Sequence, residues 1–267
     1  MPPQQGRALL AVVHQAPERF GVARARGRLV DLRQVVPWLA SDSLAGIWQA
    51  LRRLGVRPKR GQLSVHSPDP LYEQKCFAIQ QACALAATHP QRVRVLYAAE
   101  VSVYRQPTLA PVYTPAGRLP KARLSLRSNT RHRISGALDT CTGQVCYTSA
   151  AKMGVTNLGA FLERVRSTYP HHQLFVVWDN WAVHQHAKVL ATAARLHLHL
   201  LWLPTYAPWT NPIEKLWRWL KQTLLHHHRF ADRWKELKSA LHAFLDQFAP
   251  GAAGSTALLR YVGLLPD

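Results

Sequence analysis

Acidic residues are scarce in this chain of 267 residues, 14 in all against 34 lysines and arginines, so a carboxylate at an exposed edge is a candidate for chemistry. Two stand out by context. Asp179 follows directly on the apolar run Leu174–Trp178, which reads as a short buried strand delivering a side chain to the edge of a sheet. Glu214 falls third in a helix predicted over Pro212–Leu225, with Asn211 placed to cap it and Pro212 at the first helical position. Carboxylates brought together at such edges hold hard divalent cations. Singly, each has an ordinary explanation: an acid in a first helical turn complements the dipole, and an acid after a strand closes a turn. His184 lies five residues beyond Asp179, with a supporting role and a surface place at a helix start both open. The run His226-His227-His228 could bind adventitious metal, although a basic helix end is the better reading. Cys76, Cys83, Cys141 and Cys146 form no CxxC pair, which argues against a zinc knuckle and for reduced thiols.

The elements that must position these residues divide the chain at about residue 70. The first sixty residues read as helical. Leu44, Ile47, Trp48, Leu51 and Leu54 recur at helical spacing over Ser43–Leu54, capped by Ser41 or Asp42 and ended by Gly55. A second stripe, Leu29 to Leu39, is shortened or kinked by Pro37. Two helices with a basic exit at Arg57, Lys59 and Arg60 suggest a helix-turn-helix or winged helix, and equally an ordinary helical hairpin. Within the first reading Gln49, Arg52 and Arg53 are candidates for the groove-facing side, and Lys59 and Arg60 are further DNA-binding residues. A linker over 61–70 leads to a helix at Tyr72–Ala87 and a strand at Arg92–Ala98. A hairpin of Arg133–Leu138 and Gln144–Thr148 follows, then a helix Leu158–Thr168 and the strand before Asp179. Helices at Ala187–Arg195 and Asp232–Phe248 and a strand at His197–Leu203 complete an α/β domain with a mixed sheet.

The charge narrows the partners. A formal net charge of +20 points to nucleic acid, with a membrane surface as the competitor. The uncharged stretch Leu196–Ile213 contains Pro204, Pro208 and Pro212 and cannot run as one spanning helix, so the reading has no membrane and a cytoplasmic protein. Arg118, Lys121, Arg123, Arg127, Arg131 and Arg133 crowd sixteen residues, a density suited to a phosphate-tracking loop beside the site or to a solvated basic edge.

Between Asp179 and Glu214 lie 34 residues, ending in Leu203-Pro-Thr-Tyr-Ala-Pro-Trp-Thr-Asn-Pro-Ile-Glu214. With Asp179-Asn180 this resembles the DDE transposases of the mariner-like superfamily, in particular its bacterial insertion-sequence branch. The departures are Ala207 for the usual serine and Trp209 for a common acid. His66-Ser-Pro-Asp-Pro70 is similar to the family's linker, 17–60 to its second helix-turn-helix, and Tyr113–Gly117 to the segment after its first catalytic strand. The resemblance implies an RNase H-like catalytic domain over 71–267, preceded by a helix-turn-helix module over 1–60. It places a first such module ahead of residue 1, lost by truncation or carried on a separate reading frame. It further implies cut-and-paste transposition at terminal inverted repeats, insertion at a TA dinucleotide, a homodimer at the bacterial nucleoid, and two Mg²⁺ ions (Mn²⁺ as substitute) held by three carboxylates. Asn180, His184 and Asn211 become supporting residues.

One of the three acids is missing. Where the resemblance implies Tyr-Ala-Asp-Glu, this chain reads Tyr97-Ala98-Ala99-Glu100. Glu100 should point to the opposite face of the strand, and Asp139 reads as a hairpin turn acid. The reading is an engineered Asp-to-Ala exchange at position 99 in an otherwise intact site. The alternative is a naturally inactive DNA-binding descendant.

Overall fold

The computed structural model describes residues 2–24, 26–58, 66–115 and 117–265. Lys59, Arg60 and the first half of the expected linker, 61–65, lie outside the described residues. The chain forms two units, residues 1–64 and 65–267, each with its own core.

The first unit is helical, with no strand among its described residues: α1 (Pro3–Val13), α2 (Leu29–Val35) and α3 (Leu44–Arg53). Leu9, Val36, Leu39, Ile47 and Leu51 make its core. Pro37 stops α2 at Val35 and starts a 3₁₀ turn over Pro37–Leu39, as its missing N–H requires. The cap of α3 is Ser43, whose Oγ accepts from Gly46 N at 3.0 Å, and not Ser41 or Asp42. Gly55, at φ 76°, ends it. α1 adds a helix to the two stripes that the sequence marked out in this unit.

The second unit is a five-stranded mixed sheet with helices on both faces. Its strands are β1 (Val93–Tyr104), β2 (Arg131–Asp139), β3 (Val145–Ala150), β4 (Gln173–Trp178) and β5 (Leu198–Trp202), in the order β3-β2-β1-β4-β5. β1, β2 and β3 run antiparallel, whereas β1, β4 and β5 are parallel. Around them pack α4 (Tyr72–Thr88), α5 (Val155–Thr168), α6 (Ala187–Arg195), α7 (Ile213–Leu220), α8 (Trp234–Asp246) and α9 (Ser255–Val262). Because both faces are covered, β1 is apolar on both: Leu96 and Ala98 join the α5 side, Ala99, Val101 and Val103 the α7 side.

Two expected boundaries change most. β1 does not end at Ala98 but continues to Tyr104, since the alternation of Ala99, Val101 and Val103 keeps one face buried and β2 pairs with it from Leu96 to Tyr104. The helix expected over Pro212–Leu225 is α-helical only to Leu220 and widens into a π turn over Lys221–Leu225. α9 was not expected. α7 carries Ile213, Leu216, Trp217 and Leu220 on one stripe against the sheet. The approach is close: a Cβ on Gly136 would stand 2.7 Å from the Trp217 ring, so only glycine fits beneath it.

Candidate active site

The carboxylates meet where the sheet's central parallel pair ends. Asp179 is the first residue past β4. Tyr97 pairs with Val177, so position 99 on β1 stands level with Asp179. Ala99 is 2% exposed and packs with Ile213 and Trp217 of α7, the helix that carries Glu214. Asn211 fixes that helix to β1: its Nδ2 donates to Ala98 O at 3.1 Å and its Oδ1 accepts from Ile213 N at 3.4 Å. Asn180 ties the other wall, its Nδ2 donating to Leu203 O at 2.6 Å. Asp179, Asn211 and Glu214 line one pocket of about 510 Å³ with the segment Leu203–Pro208.

His184 is no surface residue. It is fully buried, stacked on Trp178 with ring centroids 3.9 Å apart. Its Nδ1 shares a hydrogen bond with Asp179 O at 3.2 Å and lies 2.8 Å from Asp179 Oδ1, and its Nε2 is 3.2 Å from Glu100 Oε2 without hydrogen-bond alignment. Burial opposes its charge, but the two acids outweigh that and push its pKa up to about 9. Burial also opposes ionisation of Asp179, yet the His184 contact and the Trp181 N–H hold its carboxyl below the usual range. Glu214 goes the other way. Burial raises it, Lys221 opposes, and the negative charges of Asp179 and Glu100 raise it further.

Glu100 is the residue that sequence reasoning set aside. It points away from α7, as strand alternation requires, and accepts from Ser135 Oγ at 3.1 Å. Asp179 lies beyond the strand end, however, and its carboxylate turns toward His184 on Glu100's side. Glu100, Asp179 and His184 bring ligand atoms within 4.8 Å of one another. The carboxylates, and not the protonated His184 between them, fit a hard divalent cation: their oxygens converge, and Glu214 feels two other acids nearby. Asp139 is a turn acid, accepting from Cys141 N, Thr142 N and Thr142 Oγ.

The other expected residues lie elsewhere. Gln49, Arg52 and Arg53 are exposed on α3 in the first unit. Arg118, Lys121, Arg123 and Arg127 sit exposed in the irregular connection between β1 and β2, and Arg131 opens β2. None of them lines the carboxylate pocket; the connection packs instead against the segment after α7. His226 and His227 take part in that packing, with Nδ1 of His226 2.8 Å from Thr108 Oγ and Nε2 of His227 accepting from Ala110 N, and they form no metal cluster among the described residues.

A mixed sheet of this order with acids at the ends of its central strands and on a following helix is the frame of an RNase H-like nuclease. The chain belongs to the DDE superfamily endonucleases, whose family model matches residues 94–238. It is similar to an insertion element IS630 protein of 39 kDa from Shigella sonnei, 23% identical over 259 residues, covering 94% of this chain and 73% of the relative. Its fold matches a Mos1 strand transfer complex at TM-score 0.65 and 16% identity, over 100% of this chain and 76% of that one. It also matches a Mos1 mariner paired end complex with Mn at 0.64 and 17%, over 100% and 77%. No helix among the described residues is long and apolar enough to cross a membrane.

Proposed function

We propose that this chain is a cut-and-paste transposase that binds the terminal inverted repeats of its element and is stalled at the cutting step by Ala99. The observation that carries this is the level placement of Ala99 and Asp179 on paired parallel strands, with Ala99 facing the helix of Glu214. An aspartate there would complete a three-carboxylate cage. Asp179 and Glu214 would hold Mg²⁺ or Mn²⁺, His184 orients Asp179, and Asn180 and Asn211 fix the two walls. When bound, the metal supplies Lewis acidity at the scissile phosphate and acidifies the attacking water. Gln49, Arg52 and Arg53 would read the repeat, with Lys59, Arg60, Arg118, Lys121, Arg123, Arg127 and Arg131 on phosphates. A further Mos1 transposase structure of similar fold is a paired-end complex with left transposon end by its name, and the one above holds Mn, which supports DNA and a divalent cation here. Two ions, a homodimer, insertion at TA and action at the bacterial nucleoid follow from the sequence resemblance.

The test is Ala99→Asp. The variant should nick repeat-end DNA in Mg²⁺ or Mn²⁺ and lose this on Asp179→Asn or Glu214→Gln, whereas the chain as it stands binds without cutting. A variant that binds repeats yet cuts nothing would favour a naturally inactive DNA-binding descendant. A second reading rests on Glu100, whose carboxylate already reaches Asp179 through His184. Cleavage by the unaltered chain, abolished by Glu100→Gln, would establish it.

A further inference from the structure

We infer that the cleft between the β1–β2 connection and the segment after α7 is a second DNA seat, gripping the sugar-phosphate backbone of a duplex away from the carboxylates. The inference rests on the DNA-cutting reading and adds residues that it does not include. The cleft has a volume of about 1210 Å³, and cations converge on it from two walls: Arg118, Lys121 and Arg123 on one, Arg229 and Arg233 on the other. Asp232 is the one acid among its lining residues, 4.0 Å from Arg123, and Glu236 pairs with Arg233. Arg118, Lys121 and Arg229 have no carboxylate in ion-pair reach among the described residues.

The walls are built. Gln106 clasps the connection, accepting from Ser125 N at 2.9 Å and donating to Ser125 O at 2.9 Å. Ser125 Oγ donates to Asp232 at 2.6 Å, Arg105 to Ala231 O at 3.3 Å, and Thr108 N to Leu225 O at 3.0 Å. A pinned groove whose cations outnumber its acids fits a linear polyanion better than a single ion. β1 and α7 both pass the carboxylate site and lead to it. At about 3.3 Å per residue, Arg105 stands roughly 20 Å beyond position 99 along β1. That is the length of roughly six base pairs. Leu109, Tyr113 and Leu126 on the same connection are exposed and would suit a protein partner, but the charge on both walls favours DNA.

The experiment is a salt titration of binding to a duplex of about 30 base pairs, read by anisotropy for the full chain. Arg229→Gln with Arg233→Gln should lower the log–log slope by about two, as should Arg118→Gln with Lys121→Gln, and Arg229→Gln alone by about one. Melting and sedimentation should match the unaltered chain. If that chain binds DNA and the 229/233 pair leaves its slope unchanged, the inference fails while the transposase reading stands. Pairs that change the association state but not the slope would make the cleft a protein interface. An unaltered chain that does not bind DNA would sink both.

Discussion

At position 99 a methyl group occupies a place that is apolar on one side and acidic on the other. Ala99 shares a buried cluster with Ile213 and Trp217, and Glu214 feels the charges of Asp179 and Glu100 nearby. An aspartate introduced there is therefore costly without a counter-charge. Ala99→Asp should lose about 1–3 kcal/mol in a chelator. It should recover with millimolar Mg²⁺ or Mn²⁺ by an upward shift of the melting temperature that the unaltered chain does not show. A variant as stable in chelator as the unaltered chain, with no metal-dependent shift, would contradict the cage. Asn211→Ala should cost about 1–3 kcal/mol whatever the metal, because it strands a buried carbonyl at Ala98 and uncaps α7; thermal melting checks this. Asp179, Asn211 and Glu214 were legible because each sits at a strand end or helix start, where local sequence dictates geometry. His184 and Glu100 were not. Whether a histidine five residues past a strand is buried depends on the Trp178 ring beneath it, and Glu100 joins Asp179 only because that residue lies past the pleat, where the face rule lapses.

Elements were read better in their existence than in their ends. α6 was legible to the residue, since its stripe and its flanking strands agree. β1 was cut short at Ala98 although its period-two pattern continues to Val103; what fixes its length is the pairing with β2, a tertiary fact. The Ser-Pro-Asp-Pro segment shows what a short motif can hide. Asp69, 4% exposed at its side chain, pairs with Lys75 at 2.7 Å and accepts from Thr205 N and Thr205 Oγ, so the start of the second unit is fastened to the wall of the carboxylate pocket. Lys75, Thr205 and Leu71 together hold its carboxyl far below its ordinary value of 3.8. A depressed carboxyl contributes stability that is whole above its unfolded value and lost as pH falls through the folded one. Asp69→Asn should thus lower melting by several degrees near neutral pH and flatten the decline on acidification below pH about 4, measured by circular dichroism. A variant that keeps the parent's acid limb would show that Asp69 does not drive it.

For the whole molecule the dominant quantity is a net charge of +20, which composition alone disclosed. Its distribution was less open to reading: of the run Arg118–Arg133 expected beside the carboxylates, Arg133 lies over the Trp181 ring of their pocket, whereas Arg123 reaches Asp232, a hundred positions later. Arg52→Ala with Arg53→Ala should reduce the salt slope of DNA binding by about two and weaken any preference for repeat sequence. Unchanged affinity and footprint would return α3 to a plain helical hairpin. The Asn211–Ala98 staple has a consequence in time as well as in space. It joins residues 113 positions apart, and the β1–β4 pair beside it is parallel, so neither can form from local contacts. A chain emerging from the ribosome can complete the β1–β2–β3 meander early, but the carboxylates cannot meet until α7 has been made. In a site assembled in this order the acid of α7 is the last part to arrive, after nearly the whole of the sheet has been made.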